Sequence, residues 1–197
     1  MSNINYSSIS GYLGIYLGPM FSGKTTRLIQ LHKTNTYIGK KIVVINFYAD
    51  TRYHDTMLST HDHIMIPCIL MDDLRDAWKN QENTHYEEIH SANMILINEG
   101  QFFKHLFEIV LEMVEKEKKE VHICGLDGDF KRNVFGEILQ LIPYCDHIEK
   151  LTSLCACCKD GTPGLFSHRI TGENEQIVVG SDNYKPLCRK CYLQMES

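Results

Sequence analysis

Four short apolar runs punctuate the first two thirds of the chain: Tyr12-Leu13-Gly14-Ile15-Tyr16-Leu17, Ile42-Val43-Val44-Ile45, Met94-Ile95-Leu96-Ile97 and Val121-His122-Ile123-Cys124-Gly125-Leu126. Runs this short and this apolar suit strands buried on both faces. Helical patterns lie between them. Residues 25–38 set Leu28 and Leu31 one turn apart and meet a stop at Gly39. Residues 72–79 read as a second helix. Residues 106–119 are amphipathic, with Leu106, Ile109, Val110 and Met113 on one face. The mixed-charge run 112–120 reads as a solvated helix face. Strands alternating with helices predict an α/β fold, in which right-handed crossovers build a parallel sheet covered on both sides.

The pattern changes near Leu151. Beyond it come short elements, Gly and polar residues, and five of the eight Cys in two tight clusters. A boundary is therefore expected after residue 150, with a core domain over residues 11–150 and a small appended domain over 151–192. The first ten residues are polar, rich in Ser and Asn, and read as a loose tail.

Composition narrows the function classes. The chain has 197 residues, 43% of them hydrophobic, which is globular composition and enough for one good core. Its 20 basic and 25 acidic residues leave a formal charge of −5. That balance argues against general nucleic-acid affinity, which needs a basic field. No apolar run approaches the ~18 residues of a membrane span, and the first twelve residues do not read as a signal peptide. A cytoplasmic location with reduced thiols is the expectation.

Gly18-Pro19-Met20-Phe21-Ser22-Gly23-Lys24-Thr25 fits G-x-x-x-x-G-K-[ST], after an apolar strand and at the opening of a helix. In that context the loop turns its backbone N–H groups inward onto phosphate oxygens, and the helix N-terminus adds its partial positive charge. Lys24 would reach the β- and γ-phosphates, and the Thr25 hydroxyl would ligate Mg²⁺. The third strand ends in Asn98-Glu99-Gly100-Gln101-Phe102-Phe103. A carboxylate at the C-terminal edge of a parallel sheet faces the ligand crevice. Glu99 is thus a candidate general base for a hydroxyl acceptor, against the alternative of a surface Glu in a turn. Asn98 stands where an Asp near Mg²⁺ is expected.

Cys155/Cys158 and Cys188/Cys191 form two C-x₂-C pairs separated by residues 159–187. Four thiolates on two tight turns can close a tetrahedron around Zn²⁺, leaving no open position, so the site reads as structural. Two disulfides or four free thiols would suit a reducing compartment poorly. Cys157 is out of register. Cys68, Cys124 and Cys145 sit among apolar neighbours and read as buried small hydrophobes. His61-Asp62-His63 reads as a loop turn rather than a metal site.

Taken together these motifs resemble the type II thymidine kinases, cellular and viral. The resemblance rests on the phosphate loop with its Pro19-Met20-Phe21, and on Asp50-Thr51-Arg52-Tyr53 followed by Thr60-His61-Asp62. It extends through Glu99-Gly100-Gln101-Phe102-Phe103, Leu126-Asp127-Gly128-Asp129-Phe130-Lys131-Arg132 with Phe135, and the cysteine-bearing "lasso" around Asp182-Asn183-Tyr184-Lys185-Pro186-Leu187-Cys188. It implies a P-loop kinase domain over 11–150 and a zinc-binding lasso domain over 151–192 that closes over the nucleoside. It implies transfer of the ATP γ-phosphate to the 5′-hydroxyl of thymidine or deoxyuridine with Mg²⁺, and a homotetramer. Carried over residue by residue, Glu99 is the base and Arg52 stabilises transferring charge. Phe102, Leu126, Phe130 and Phe135 form the apolar pocket; Ser167, Ile177, Val179, Gly180 and Tyr184 belong to the lasso wall that reads the pyrimidine. Two departures stand out. The family has Asp where this chain has Asn98, which implies weaker Mg²⁺ handling and reduced activity. Asp160-Gly161-Thr162-Pro163-Gly164 lengthens the lasso, and Ser167 takes the place of a family Thr. Two other functions compete: a catalytically weakened nucleotide-binding relative, and a zinc-ribbon P-loop ATPase acting on nucleic acid, for which Lys185, Arg189 and Lys190 give some footing.

Overall fold

The computed structural model describes residues 10–49, 56–60, 62–178 and 180–195. A six-stranded sheet forms its centre, with strand order β5-β2-β6-β7-β1-β8 and every neighbouring pair parallel. The strands are β1 (Tyr12–Leu17), β2 (Ile42–Phe47), β5 (Ile69–Met71), β6 (Met94–Ile97), β7 (Glu120–Gly125) and β8 (His147–Lys150). The α/β reading and its four strands are borne out. β5 and β8 were not foreseen: each is short, and each exists only because a longer neighbour offers it hydrogen bonds.

Two apolar layers show why the four runs were almost continuously hydrophobic. Leu13, Ile15 and Leu17 of β1 join Val43, Ile45, Ile95, Ile97, Val121 and Ile123 on one face. Tyr16, Val44, Met94, Leu96 and Cys124, their alternates, belong to the other. Successive side chains of a strand point to opposite faces, so both sets must be apolar when both faces are covered. The first face is covered by α2 (Leu74–Lys79), α3 (Tyr86–Ser91) and α4 (Leu106–Leu111), through residues such as Trp78, Ile89, Ile109 and Val110. The second is covered by α1 (Lys24–Tyr37), through Leu28 and Ile29, and by Leu58 and Ile66 of the β3–β4 hairpin (Met57–Ser59 and Met65–Pro67).

Helix ends follow local chemistry. Gly39 ends α1 at φ 79, its N–H bonded to the Thr36 carbonyl. Asp73 caps α2 by accepting from the Arg75 N–H at 2.9 Å and also bonds His105 Nδ1 at 2.9 Å. Two expectations need correction. The amphipathic helix does not run to residue 119: α4 gives way to a π-turn over Glu112–Lys116, and Lys118 turns the chain with φ 53. Nor is the 112–120 run wholly solvated. Lys119 is 7% exposed, its ammonium donating to the His90 and Ala92 carbonyls. Burial lowers its pKa. Among the three cysteines expected to be buried, only Cys124 is; Cys68 and Cys145 are half-exposed.

After β8 the chain leaves the sheet for β9 (Ser153–Leu154), β10 (Pro163–Gly164), β11 (Phe166–Arg169), β12 (Tyr184–Leu187) and α5 (Arg189–Met195). β11 and β12 form an antiparallel pair. A separate small core of Cys155, Leu187, Cys188 and Tyr192, with Phe166 packed on it, holds this part together. The Tyr192 hydroxyl donates to the Phe130 carbonyl at 2.7 Å, which ties that core to the loop after β7.

One turn links the sheet edge to that loop. Gly136 has φ 62, and a Cβ there would lie 2.1 Å from the Gln101 carbonyl oxygen. Gly136→Ala therefore combines a left-handed non-glycine residue with a backbone overlap. A loss of roughly 2 kcal/mol or more is expected, seen as a lower Tm; an unchanged Tm would show that the loop can move aside.

Candidate functional site

β1, β2, β6 and β7 all end on one edge of the sheet, and a cavity of about 370 Å³ opens there. Its floor is the loop from β1 to α1. Met20, Phe21, Ser22, Gly23, Lys24 and Thr25 line it; Gly18 and Pro19 lie behind. Gly18 is confined by its surroundings, since a Cβ would stand 2.5 Å from the Leu151 carbonyl oxygen. Gly23 caps α1 in the left-handed region, at φ 82, and offers no side chain to the first-turn N–H groups. The first turn holds no acidic residue. Uncapped amides at the start of a 14-residue helix, facing a cavity, form a site for an anion. Lys24 is buried and its ammonium donates to the Pro19 carbonyl at 2.7 Å. The Ser22 hydroxyl, buried as an atom, has no hydrogen-bond partner among the described residues.

Asn98 is placed behind the cavity rather than in it. It is 1% exposed and does not line the opening. Its amide donates to Asn46 Oδ1 at 2.8 Å, and its Oδ1 accepts from Thr25 Oγ1 at 3.3 Å and Cys124 Sγ at 3.0 Å. The contact with Thr25 orients that hydroxyl's hydrogen inward and leaves its lone pairs for the cavity.

Glu99 lines the cavity, in the left-handed region with φ 56 and ψ 43. That conformation costs a non-glycine residue about 1–2 kcal/mol. Its carboxylate accepts from Gln101 Nε2 at 2.7 Å, while Gln101 Oε1 accepts from the Leu126 N–H at 2.9 Å. Gln101, 2% exposed, thus fixes the carboxylate against the end of β7.

Aromatic side chains form one wall. The Phe47 ring stacks on Phe102 at 4.8 Å, and Phe102 meets Phe135 edge-on at 5.2 Å. Leu126 and Phe130 complete that side. Ser167, Ile177, Gly180 and Tyr184 line the opposite wall. The Ser167 hydroxyl accepts from the Met20 N–H at 2.9 Å, which joins the phosphate loop to β11. Of the residues read from sequence, Arg52 and Val179 lie outside the described residues, as do Asp50, Thr51, Tyr53 and His61.

Several lining residues were given no site role beforehand: Phe47, Thr60, Asp62, Asp129 and Gln176. Asp129 is 7% exposed and accepts from the Lys131 and Asn133 N–H groups at 2.8 Å each. Phe47 was detectable, since it follows the apolar run of β2 after the single polar residue Asn46 and extends the strand by two.

The four cysteines come together. The ligand atoms of Cys155, Cys158, Cys188 and Cys191 all lie within 4.8 Å of one another. Cys158 Sγ is 3.8 Å from Cys188 Sγ and 3.5 Å from Cys191 Sγ. Tetrahedral Zn²⁺ at its usual bond length spaces thiolates by about 3.8 Å. Burial alone would push the Cys155 thiol up, but backbone N–H groups of Cys188, Cys158 and Cys157 outweigh it and bring it down to about 6. Its sulfur neighbours push Cys191 up. The donor set therefore fits zinc in spacing and chemistry, with no position left for a substrate.

Fold and site define a P-loop α/β protein with a four-cysteine appendage. A family model described as thymidine kinase matches residues 11–192. The thymidine kinase of Yaba monkey tumor virus is 38% identical over 192 residues, covering 97% of this chain and 99% of that protein. Thymidine kinase a of Arabidopsis thaliana is 35% identical, covering 93% of this chain and 76% of that protein. The cytosolic thymidine kinase of Cricetulus griseus is 34% identical, covering 97% and 77%. Among solved structures, AMPPCP-bound DnaA from Aquifex aeolicus overlays 75% of this chain and 42% of that chain at TM-score 0.47 and 13% identity, a likeness too slight to bear on function. The chain belongs to the thymidine kinase family, in agreement with the resemblance carried by its motifs.

Elemental analysis of the purified protein is expected to find about one zinc per chain. Cys191→Ser should lower that content and melt the β11–β12 region first; full zinc retention in the variant would exclude Cys191 as a ligand.

Proposed function

We propose that the protein transfers the γ-phosphate of ATP to the 5′-hydroxyl of thymidine or deoxyuridine. The observation that carries this reading is that one cavity holds both the N-terminus of α1 and the Glu99 carboxylate, between aromatic and lasso walls. The phosphates lie along the amides of residues 21–25, with Lys24 released from Pro19 to meet them. Mg²⁺ would supply charge neutralisation for the phosphates. Thr25 Oγ1 would hold it, oriented from behind by Asn98. Glu99 takes the proton of the 5′-hydroxyl as the new O–P bond forms and the bond to the β-phosphate oxygen breaks, so that ADP leaves and the nucleoside monophosphate is made. Gln101 keeps the Glu99 carboxylate in place for that transfer. Phe102, Leu126, Phe130 and Phe135 pack on the base, and the lasso residues Ser167, Ile177, Val179, Gly180 and Tyr184 close over it. Arg52 is assigned, by the resemblance alone, to transferring charge. Bound zinc at Cys155, Cys158, Cys188 and Cys191 is structural. A role in dTMP salvage and DNA precursor synthesis, a cytoplasmic site of action and a homotetramer belong to the same proposal. Among the described residues no helix is long and apolar enough to cross a membrane.

Asn98 favours one competing reading, a weakened relative that binds nucleotide. It brings no charge to the metal side of the site, and its amide is already committed to Asn46.

Two variants test these statements. Glu99→Gln should lower thymidine phosphorylation by about 10²–10⁴-fold while ATP binding persists; activity near that of the unaltered protein would remove Glu99 as the base. Asn98→Asp should lower the Mg²⁺ concentration needed for half-maximal turnover and raise the rate. An unaltered Mg²⁺ profile and rate would show that the missing charge does not limit this site. ATP hydrolysis stimulated by DNA, without nucleoside phosphorylation, would favour the nucleic-acid reading instead.

A further inference from the structure

The lasso wall of the cavity is built from backbone that has no helix or strand among its described residues between 170 and 180. Residues 171–177 are polar up to Ile177, and exposed. Such a segment has no apolar face with which to fix itself. A single buried cation supplies the missing order. Arg169, the last residue of β11, is 5% exposed. Its Nη1 donates to the Glu173 and Glu175 carbonyls at 3.0 and 2.5 Å, and its Nη2 donates to the Gln176 carbonyl at 3.2 Å and the Tyr184 hydroxyl at 2.6 Å. Tyr184 in turn donates to the Val178 carbonyl at 3.0 Å. The guanidinium carbon sits 3.8 Å from the centre of the Phe130 ring. One side chain therefore ties the loop after β7, the segment 173–178 and β12 into a single wall.

Arg169 does this without entering the cavity, which it does not line. No ion pair joins it to a carboxylate among the described residues, although the Glu173 carboxylate feels its charge; that charge is met chiefly by carbonyl dipoles and aromatic faces. Burying a guanidinium on those terms is costly unless its donors are used; both Nη groups are used and Nε has no partner among the described residues, so the position is specified through the two Nη groups. A lysine offers a point charge and cannot bridge three carbonyls and a hydroxyl from a planar fork. Gln176 closes the wall from the other side, its Nε2 bonded to Asp129 Oδ2 at 3.0 Å.

We infer that Arg169 is a positioning residue for acceptor recognition: it sets the backbone of residues 173–178 against Phe130, so that affinity for the nucleoside depends on a side chain that does not touch it. This rests on reading the cavity as the acceptor site. The test is steady-state kinetics of the zinc-loaded full chain with thymidine and ATP varied separately, for Arg169→Lys, Tyr184→Phe and the double variant. Arg169→Lys should raise the thymidine KM by about 10–10²-fold and leave the ATP KM within about twofold. Because the Tyr184 hydroxyl is shared between Arg169 and the Val178 carbonyl, the two substitutions should be non-additive, the double variant falling short of the product of the single effects. An unchanged thymidine KM, or equal rises in both KM values, overturns the inference. Should Arg169→Lys fail to fold, Arg169→Gln decides by the same two KM values: a selective rise in the thymidine KM supports the inference and an unchanged one overturns it. A wild-type protein that transfers no phosphate overturns the kinase reading instead. Hydrogen exchange then judges the inference: Arg169→Lys must speed exchange at residues 173–178 while α1 is unaffected, and equal protection in both proteins overturns it.

Discussion

The interaction on which the rest of the site depends is the uncapped N-terminus of α1. A chain of formal charge −5 offers no general attraction to a polyanion, so any phosphate must be met locally by oriented backbone dipoles. That requires α1 to start where the cavity is. β1 is buried on both faces and paired with β7 and β8, which holds the loop's origin. Leu28 and Ile29 seat the helix on the sheet. The Thr25–Asn98 and Met20–Ser167 bonds then fix the loop from two directions, one reaching β6 and the other β11. The same sheet edge delivers Glu99, so the start of α1 and the carboxylate share one reference frame.

The opposite wall is held on different terms. Between residues 170 and 180 it has no strand among the described residues, and the separate core beneath it is small. Four sulfurs close that core at one end and Arg169 orders the segment above it at the other. Both devices are concentrated polar interactions substituting for an apolar layer that too few residues are present to build. A wall of this kind can present backbone groups to a ligand, which a strand committed to its ladder cannot.

Much of this was legible from residue order, and the exceptions have physical causes. The phosphate loop, the four long strands and the two cysteine pairs are local patterns whose chemistry demands fixed spacing. The β3–β4 hairpin, β5 and β8 are three to four residues of ladder, too short to show a period, and β5 and β8 depend on partners distant in the chain. The early end of α4 reflects a π-turn and the burial of Lys119, whose charge is matched by carbonyls that carry no sequence signal. Arg169 escaped notice for the same reason: its partners are backbone oxygens, defined only once the segment has folded around it. Asn98 was seen, but its place behind Thr25 was not, because strand ends do not reveal which of two adjacent side chains faces the crevice.

The most direct measurement is a crystal structure of the protein with thymidine and a non-hydrolysable ATP analogue. The account predicts the analogue's phosphates on the amides at the start of α1. It also predicts the nucleoside 5′-hydroxyl about 2.6–3.2 Å from the Glu99 carboxylate, with the base between Phe102 and the 177–180 backbone. A nucleoside bound elsewhere, or a 5′-hydroxyl out of reach of Glu99 with both ligands in place, would contradict it.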